Sequence, residues 1–211
     1  MGKLEYEYKF KNYDKKKIIE LIKKNKGKLK YPKQLLRITV YYHPLNKKNY
    51  YIRVRQEGCG ITLTVKKQQR PFDEEYEIEV NNYDEANNIL KLLGCKLKYY
   101  VEKFRETWEL EGCKEIVFDE YPAAPEYMEV ECKSKKLLNN TIKKLGFTKK
   151  DIWNGGLADL YKEEYNITQK RKKKNLTFKN AKINLSKFVK LNNKLFNARL
   201  KEQLNFLKNN M

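Results

Sequence analysis

Polar and apolar residues alternate over long stretches of the first 132 positions of the chain. In residues 4–10 the charged residues Glu5, Glu7 and Lys9 occupy one set of alternate positions, and leucine and aromatic residues occupy the other. A period of two is typical of a β-strand with one buried face. The same pattern, bounded by turn residues, predicts seven further strands, at 35–42, 49–56, 60–66, 74–80, 99–110, 114–120 and 126–132.

Four short segments have helical periodicity instead. They are residues 14–27, which Asp14 begins and Gly27 ends, and residues 83–94, 134–145 and 157–165. Eight strands in one chain predict a closed antiparallel barrel, in which one face of every strand points inward. The predicted fold class is therefore α+β, an eight-stranded antiparallel β-barrel with flanking helices.

The C-terminal segment differs from the rest in charge. From Thr168 onward it has 13 lysines and arginines against one acid, Glu202, and it begins with the basic run 170–174. Its later apolar residues share one helical face, with Ser186 as the predicted N-cap. These residues are Leu185, Phe188, Val189, Leu195, Phe196, Leu200, Leu204 and Leu207.

We therefore predict a main domain at 1–167 and a basic, helical extension at 168–211. Three interpretations of the extension stay open. It packs against the barrel or a partner, its lysines contact RNA or another nucleic acid, or it binds an anionic membrane surface.

Composition narrows the chemistry further. The chain has 211 residues, a net charge of +20, 40% hydrophobic residues and a single histidine, His43. This histidine lies beside Pro44, which leaves almost no room for a histidine-based triad or a histidine-rich metal site. Any metal site would have to use carboxylates, which favours Mg²⁺, Mn²⁺ or Ca²⁺ over zinc. The four cysteines form no C-x-x-C motif, so we expect reduced thiols. The N-terminus has neither a signal-peptide nor a transit-peptide pattern and no apolar run is long enough to span a membrane, so we expect a cytoplasmic protein.

Pairs of like charges recur at i and i+2 in most of the predicted strands, so each pair points to one face. The pairs are Glu5 and Glu7, Arg53 and Arg55, Glu77 and Glu79, Lys103 and Arg105, and Glu129 and Glu131. If these faces point into the barrel, buried charges of both signs need opposite charges, a metal or an ionic ligand. Arginine and lysine bind phosphate oxygens, and carboxylates hold the divalent cations that bridge them. The pattern predicts a metal-dependent polyphosphate site.

The motif Glu5-x-Glu7-x-Lys9 resembles the ExExK signature of the CYTH superfamily, the triphosphate tunnel metalloenzymes. The four later charge pairs, with Lys66 and Asp119 between them, follow in the order of that family, and the resemblance covers residues 1–167. The chain departs from the family pattern at 122–127, which reads Pro-Ala-Ala-Pro-Glu-Tyr where members usually have a glycine.

The resemblance implies an eight-stranded tunnel that binds a triphosphate with Mg²⁺ or Mn²⁺. It implies roles for three groups of residues. The implied metal ligands are Glu5, Glu7, Glu129 and Glu131. The implied phosphate-binding residues are Lys9, Arg53, Arg55, Lys66, Lys103 and Arg105. Glu77 and Glu79 would contribute ligands or position water and, with Lys9, act in catalysis, while Asp119 would support the site.

The leading functional hypothesis is a divalent-metal-dependent triphosphatase that cleaves the terminal phosphate of inorganic, nucleoside or thiamine triphosphate. A class IV adenylate cyclase would use the same residues. The basic extension suggests a third hypothesis, an RNA 5′-triphosphatase. The non-enzyme alternative is a polyphosphate-binding or structural assembly protein.

Overall fold

The computed structural model describes residues 2–69, 71–168 and 174–210. Most of its strands belong to one sheet in the order β1-β6-β5-β4-β3-β7-β8-β9-β2, and β10 pairs with β7. The strands are β1 (Lys3–Leu4), β2 (Tyr6–Phe10), β3 (Lys28–Tyr42), β4 (Tyr50–Glu57), β5 (Gly60–Lys67), β6 (Glu74–Val80), β7 (Leu97–Glu109), β8 (Cys113–Glu120), β9 (Tyr127–Cys132) and β10 (Asn175–Leu176). The helices are α1 (Lys15–Lys24), α2 (Tyr83–Leu92), α3 (Lys135–Lys144), α4 (Leu157–Tyr165), α5 (Ala181–Leu185) and α6 (Asn193–Asn210).

The N-terminal segment joins the two edges of the sheet. Its first part, β1, pairs antiparallel with β6, and its second part, β2, pairs antiparallel with β9. Between them the Glu5 N–H donates to the Asp73 carbonyl at 2.9 Å. One segment therefore completes an antiparallel barrel with flanking helices, and the predicted fold class is confirmed.

Three amphipathic helices cover the outside of the barrel. Each begins at a side-chain cap, Asp14 for α1, Asn82 for α2 and Ser134 for α3. Helices α1 and α3 contribute to one core cluster with β2, β8 and β9, and α2 packs over β4 and β5. The charged face of each strand is thus left to the barrel interior.

The sequence predicted one helix for the apolar part of the C-terminal extension, but the structure does not have one continuous helix there. Ser186 lies in a short 3₁₀ turn without a capping side-chain bond, and α6 begins only at Asn193. Much of the apolar face is buried within the chain: Phe196 and Leu200 belong to a core cluster with barrel residues such as Val101, while Leu195 is exposed. Packing against the barrel is therefore the interpretation that the described part supports. The boundary between 167 and 168 stays a prediction, and the basic residues 170–173 lie outside the described residues.

Two further expectations need correction. Strand β3 begins at Lys28 rather than at residue 35, and its pairing with β7 shifts register around Pro32, which has no N–H to donate. Cys113 and Cys132 face each other across β8 and β9 and are joined in a disulfide, whereas we expected reduced thiols; Cys59 and Cys95 are free. Within the part of the chain that the structure describes, no helix is both long and apolar enough to cross a membrane.

Candidate active site

The inward faces of the strands enclose a cavity of about 210 Å³. Most of its lining is charged, and aromatic side chains line one end. The charged lining residues are Glu5, Glu7, Lys9, Arg53, Arg55, Lys66, Glu75, Glu77, Lys103, Arg105, Lys114, Glu115, Glu129 and Glu131. Fourteen charges around so small a volume indicate a site for an ionic ligand.

Three carboxylates from two neighbouring strands form an acidic cluster at this cavity. Glu5, Glu7 and Glu131 each offer an oxygen, and these oxygens lie within 4.8 Å of one another. Glu7 lies opposite Glu131 in the β2–β9 ladder, which fixes their proximity through the backbone. We call these three residues the acidic cluster.

Each carboxylate of the acidic cluster pairs with a lysine, but burial and the neighbouring carboxylates outweigh that pairing. The partners are Lys66 for Glu5, Lys9 for Glu7 at 3.4 Å and Lys114 for Glu131 at 3.1 Å. Burial raises the pKa of Glu131 to about 7, with Lys114 opposing the rise and Glu5 adding to it. Burial also raises the pKa of Glu7, and the carboxylate of Glu129 adds to that rise. For Glu5, burial raises the pKa despite the ion pair with Lys66. Carboxylates held together at this electrostatic disadvantage are the arrangement that a bound cation stabilises.

A second group, by contrast, consists of charges that neutralise one another. Asp119 is fully buried, and its two oxygens accept from Nε and Nη2 of Arg105 at 2.7 and 2.8 Å. The Lys103 ammonium lies 2.5 Å from the same carboxylate, and Glu129 pairs with Arg105 at 3.2 Å and with Lys9 at 3.0 Å. We call these five residues the paired cluster.

The pKa values in the paired cluster follow from this pairing. Burial alone would raise the pKa of Asp119, but Arg105 and Lys103 outweigh it, so that pKa is lowered. The pKa of Glu129 is likewise lowered, because Lys9, Lys103 and Arg105 outweigh the effect of burial. Both carboxylates are therefore ionised and already have cationic partners.

Two arginines of β4 form the opposite wall. Arg53 contacts Glu75 at 3.0 Å and Glu77 at 3.5 Å, while Arg55 contacts Glu57 at 2.8 Å and Glu77 at 3.7 Å. Among the described residues, the buried Nε of Arg53 has no hydrogen-bond partner. A buried donor without a partner is costly, and a phosphate oxygen is the acceptor that guanidinium groups bind well.

The structure brings most of the predicted site residues to one cavity, with two differences. Glu79 is exposed and does not line the cavity, because it lies toward the open end of β6, opposite Thr62. Glu129 lies in the paired cluster, so three of the four predicted ligands form the acidic cluster. Asp119 lies behind the cavity wall and contacts its cations from there.

Sequence reasoning missed several lining residues. Glu75 is 7% exposed and pairs with Arg53. It is two residues before Glu77 in the same strand and therefore points to the same face, so this spacing could have identified it. Lys114 and Glu115 come from β8, and four tyrosines and Trp153 line one end. The tyrosines are Tyr51, Tyr99, Tyr121 and Tyr127.

The acidic cluster fits a divalent cation. Three carboxylate oxygens within 4.8 Å of one another supply the hard oxygen ligands that Mg²⁺ and Mn²⁺ prefer. Their raised pKa values show that the described residues do not neutralise them fully. The cations of Arg53, Arg55 and Lys66 line the same cavity, so a metal and a polyanion could be bound together.

The fold and the cavity thus define a class of protein, a β-barrel whose charged interior fits a polyanion together with a cation. The chain belongs to the CYTH domain family, whose model matches residues 3–150. This confirms the resemblance seen in the ExExK motif. The CYTH superfamily comprises triphosphatases and cyclases, which bind triphosphates and generally depend on a divalent metal.

Solved structures show the same fold. The PH1012 protein from Pyrococcus horikoshii OT3 is 21% identical, with a TM-score of 0.61 over 74% of this chain and 98% of that one. A candidate adenylate cyclase from Vibrio parahaemolyticus is 13% identical, with a TM-score of 0.66 over 76% of this chain and 98% of that one. A conserved hypothetical protein from Pyrococcus furiosus is 18% identical, with a TM-score of 0.60 over 74% and 99%. No curated protein matches the chain.

Proposed function

We propose that this protein is a divalent-metal-dependent triphosphatase that hydrolyses the terminal phosphate of a triphosphate, whether inorganic triphosphate, a nucleoside triphosphate or thiamine triphosphate. The observation that carries the proposal is the meeting of the acidic cluster with seven lysines and arginines around one cavity of about 210 Å³. A structural barrel would gain stability by replacing such buried charges with apolar residues.

In this proposal Glu5, Glu7 and Glu131 hold Mg²⁺ or Mn²⁺. When bound, the cation would neutralise phosphate charge and polarise the phosphate group that water attacks. Glu129 was also predicted as a ligand, but its ion pairs with Lys9 and Arg105 suit it to hold those cations in place.

The cationic side chains bind and orient the polyphosphate. Arg53 and Arg55 reach it from β4, Lys66 from β5, Lys103 and Arg105 from β7, and Lys9 from β2. Phosphoryl transfer depends mainly on positioning and charge neutralisation, so cations fixed by buried carboxylates suit the reaction. Asp119 supports the site by fixing Lys103 and Arg105.

Glu77 is placed to orient the attacking water. Its carboxylate accepts from Thr64 Oγ1 at 2.8 Å and lies between Arg53 and Arg55. Burial raises the pKa of Glu77, but Arg55 and the Thr64 bond outweigh that rise, so the pKa is lowered. An ionised carboxylate at the cavity wall can accept a hydrogen bond from a water molecule and so orient it. Glu79 shares this predicted role by sequence, but it lies outside the cavity.

A substrate panel tests the proposal. The purified chain is incubated with inorganic triphosphate, ATP, thiamine triphosphate or RNA with a 5′-triphosphate, with Mg²⁺, Mn²⁺ or EDTA. We expect metal-dependent release of phosphate from at least one of them. Cyclic AMP with pyrophosphate would instead establish a cyclase, and binding without turnover would establish a polyphosphate-binding protein.

Paired variants assign the activity to this cavity. Glu5→Gln removes one carboxylate of the acidic cluster, and Glu20→Gln changes an exposed glutamate of α1. We expect the first to lose phosphate release and the second to keep it. Equal activity of both variants would refute the assignment of the site.

A further inference from the structure

The loop between β8 and β9 connects the C-terminal extension to the cavity. It begins after Glu120 and ends before Tyr127, and its residues Pro122, Ala123 and Ala124 are buried. Ala123 has a φ of 61°, in the left-handed region that a residue with a Cβ seldom occupies. A buried loop with this backbone needs partners for its amide groups.

Side chains from two helices supply those partners. On α4, the Tyr161 hydroxyl donates to the Pro122 carbonyl at 2.7 Å, and the Tyr165 hydroxyl donates to the Ala123 carbonyl. On α6, Gln203 is 4% exposed and bonds the loop twice. Its Oε1 accepts from the Ala123 N–H at 2.6 Å, and its Nε2 donates to the Tyr121 carbonyl at 3.1 Å.

Two tyrosines connect this loop to Lys103 and Arg105, Tyr121 directly and Tyr127 through Asp119. The Tyr121 ring lines the cavity and lies 5.8 Å from the Lys103 ammonium. It also stacks on Tyr127, whose hydroxyl donates to Asp119 at 3.3 Å. Asp119 in turn holds Lys103 and Arg105. The position of the loop therefore affects the geometry of two cations.

We infer that Gln203 of the C-terminal extension is a positioning residue of the active site, which fixes the 121–126 loop and thereby Tyr121 and the cations beside it. The inference rests on the proposed function. It deepens that function, because the extension becomes part of the substrate-binding wall rather than an appendage.

The extension is additional to the matched family region, which strengthens the inference. The family model ends at residue 150, and the PH1012 relative is covered over 98% of its length by only 74% of this chain. The loop is also the place where the sequence departs from the family pattern. A chain that builds this loop from proline and alanine has thus acquired a buried glutamine that bonds its backbone.

Three variants test this inference with the full-length protein. Gln203→Met keeps the length of the side chain but removes both bonds to the loop. Tyr165→Phe removes one bond to the same loop from α4 and keeps the ring. Leu207→Ala, one turn further along α6, loses buried apolar contact with Phe104 without a bond to the loop. Each is measured for KM and kcat on the substrate that the wild type hydrolyses, and for thermal unfolding.

We expect Gln203→Met and Tyr165→Phe to raise KM for the triphosphate by about 10-fold, as for other residues that orient ligands indirectly. Leu207→Ala should lower the unfolding temperature and leave KM unchanged. A wild-type KM in Gln203→Met, or the same rise in KM for Leu207→Ala, would overturn the inference. If Gln203→Met does not fold, Gln203→Asn, whose shorter side chain cannot make both bonds to the loop, is measured in its place with the same two outcomes. Absence of triphosphate turnover by the wild type would instead overturn the proposed function, and this inference with it.

Discussion

The acidic cluster and the paired cluster are both groups of buried carboxylates in one barrel, but they are neutralised differently. Asp119 and Glu129 have lowered pKa values because Arg105, Lys103 and Lys9 surround them. Glu131, on the same strand as Glu129, has a pKa raised to about 7. The comparison teaches that burial alone does not identify a ligand site: in the acidic cluster the carboxylates also lie beside one another, and their lysine partners do not offset the combined effect.

The largest effect is expected in the paired cluster. Asp119→Ala should lower the free energy of unfolding by about 3–5 kcal/mol, because it leaves Arg105 and Lys103 buried without their main partner. Urea unfolding measures the change. The matched control is Glu115→Ala, which removes a partly exposed partner of the same arginine and should cost less than about 1 kcal/mol. Similar losses in both variants would show that the paired cluster is not a structural ion-pair network.

The opposite result is expected in the acidic cluster. Glu131→Gln should reduce metal-dependent phosphate release by about 100-fold, since a proposed ligand is lost. The free energy of unfolding at pH 8 should stay the same or rise. Above its raised pKa, ionised Glu131 disfavours the folded state, and a neutral glutamine does not. Paired activity and denaturation measurements check this. A stability loss like that of Asp119→Ala would place Glu131 among the structural charges.

Metal binding tests the same contrast between the acidic cluster and its surroundings, and the expected change in stability is smaller. At ten times its dissociation constant, Mg²⁺ or Mn²⁺ should stabilise the wild type by about 1.4 kcal/mol, or a rise of roughly 3–6 °C in unfolding temperature. Differential scanning fluorimetry with and without EDTA measures it. Glu131→Gln should show little shift, while Glu115→Ala should shift like the wild type. A shift retained in Glu131→Gln would locate the cation elsewhere.

These two clusters also show how far the sequence could be interpreted. Alternation placed Glu5, Glu7 and Lys9 on one face, and the structure has them around one cavity, because strand parity depends only on the backbone. Parity cannot say which carboxylate of a pair meets a cation. Glu129 and Glu131 are equivalent by sequence, yet Glu129 faces Lys9 and Glu131 faces Glu7. That difference arises from strand register, which depends on pairing across the whole barrel.

The extension was harder to predict for a related reason. Its apolar residues fit one helical face, but Asn192 adopts a φ of 55° and α6 begins only after it. The two-residue strand β10 pairs with β7 at Tyr100 and Val101, on the edge opposite β3 and outside the β7–β8 ladder, which covers Phe104–Trp108. Gln203 gave no signal at all, since a polar residue on a mostly polar helix becomes informative only when the buried loop beside it is known.

The smallest effect is expected for Glu79 of β6, and the residue to compare it with is Glu77 of the same strand. Glu77 lines the cavity, accepts from Thr64 and lies near both arginines, whereas Glu79 does not line the cavity. Glu79→Gln should change phosphate release by less than about 2-fold, as for surface substitutions away from a site. Glu77→Gln keeps the size of the side chain but weakens the acceptor, and it should reduce release by at least about 10-fold. Steady-state kinetics on both variants decide the matter. If Glu79→Gln reduces phosphate release more than Glu77→Gln does, Glu79 rather than Glu77 is the catalytic carboxylate.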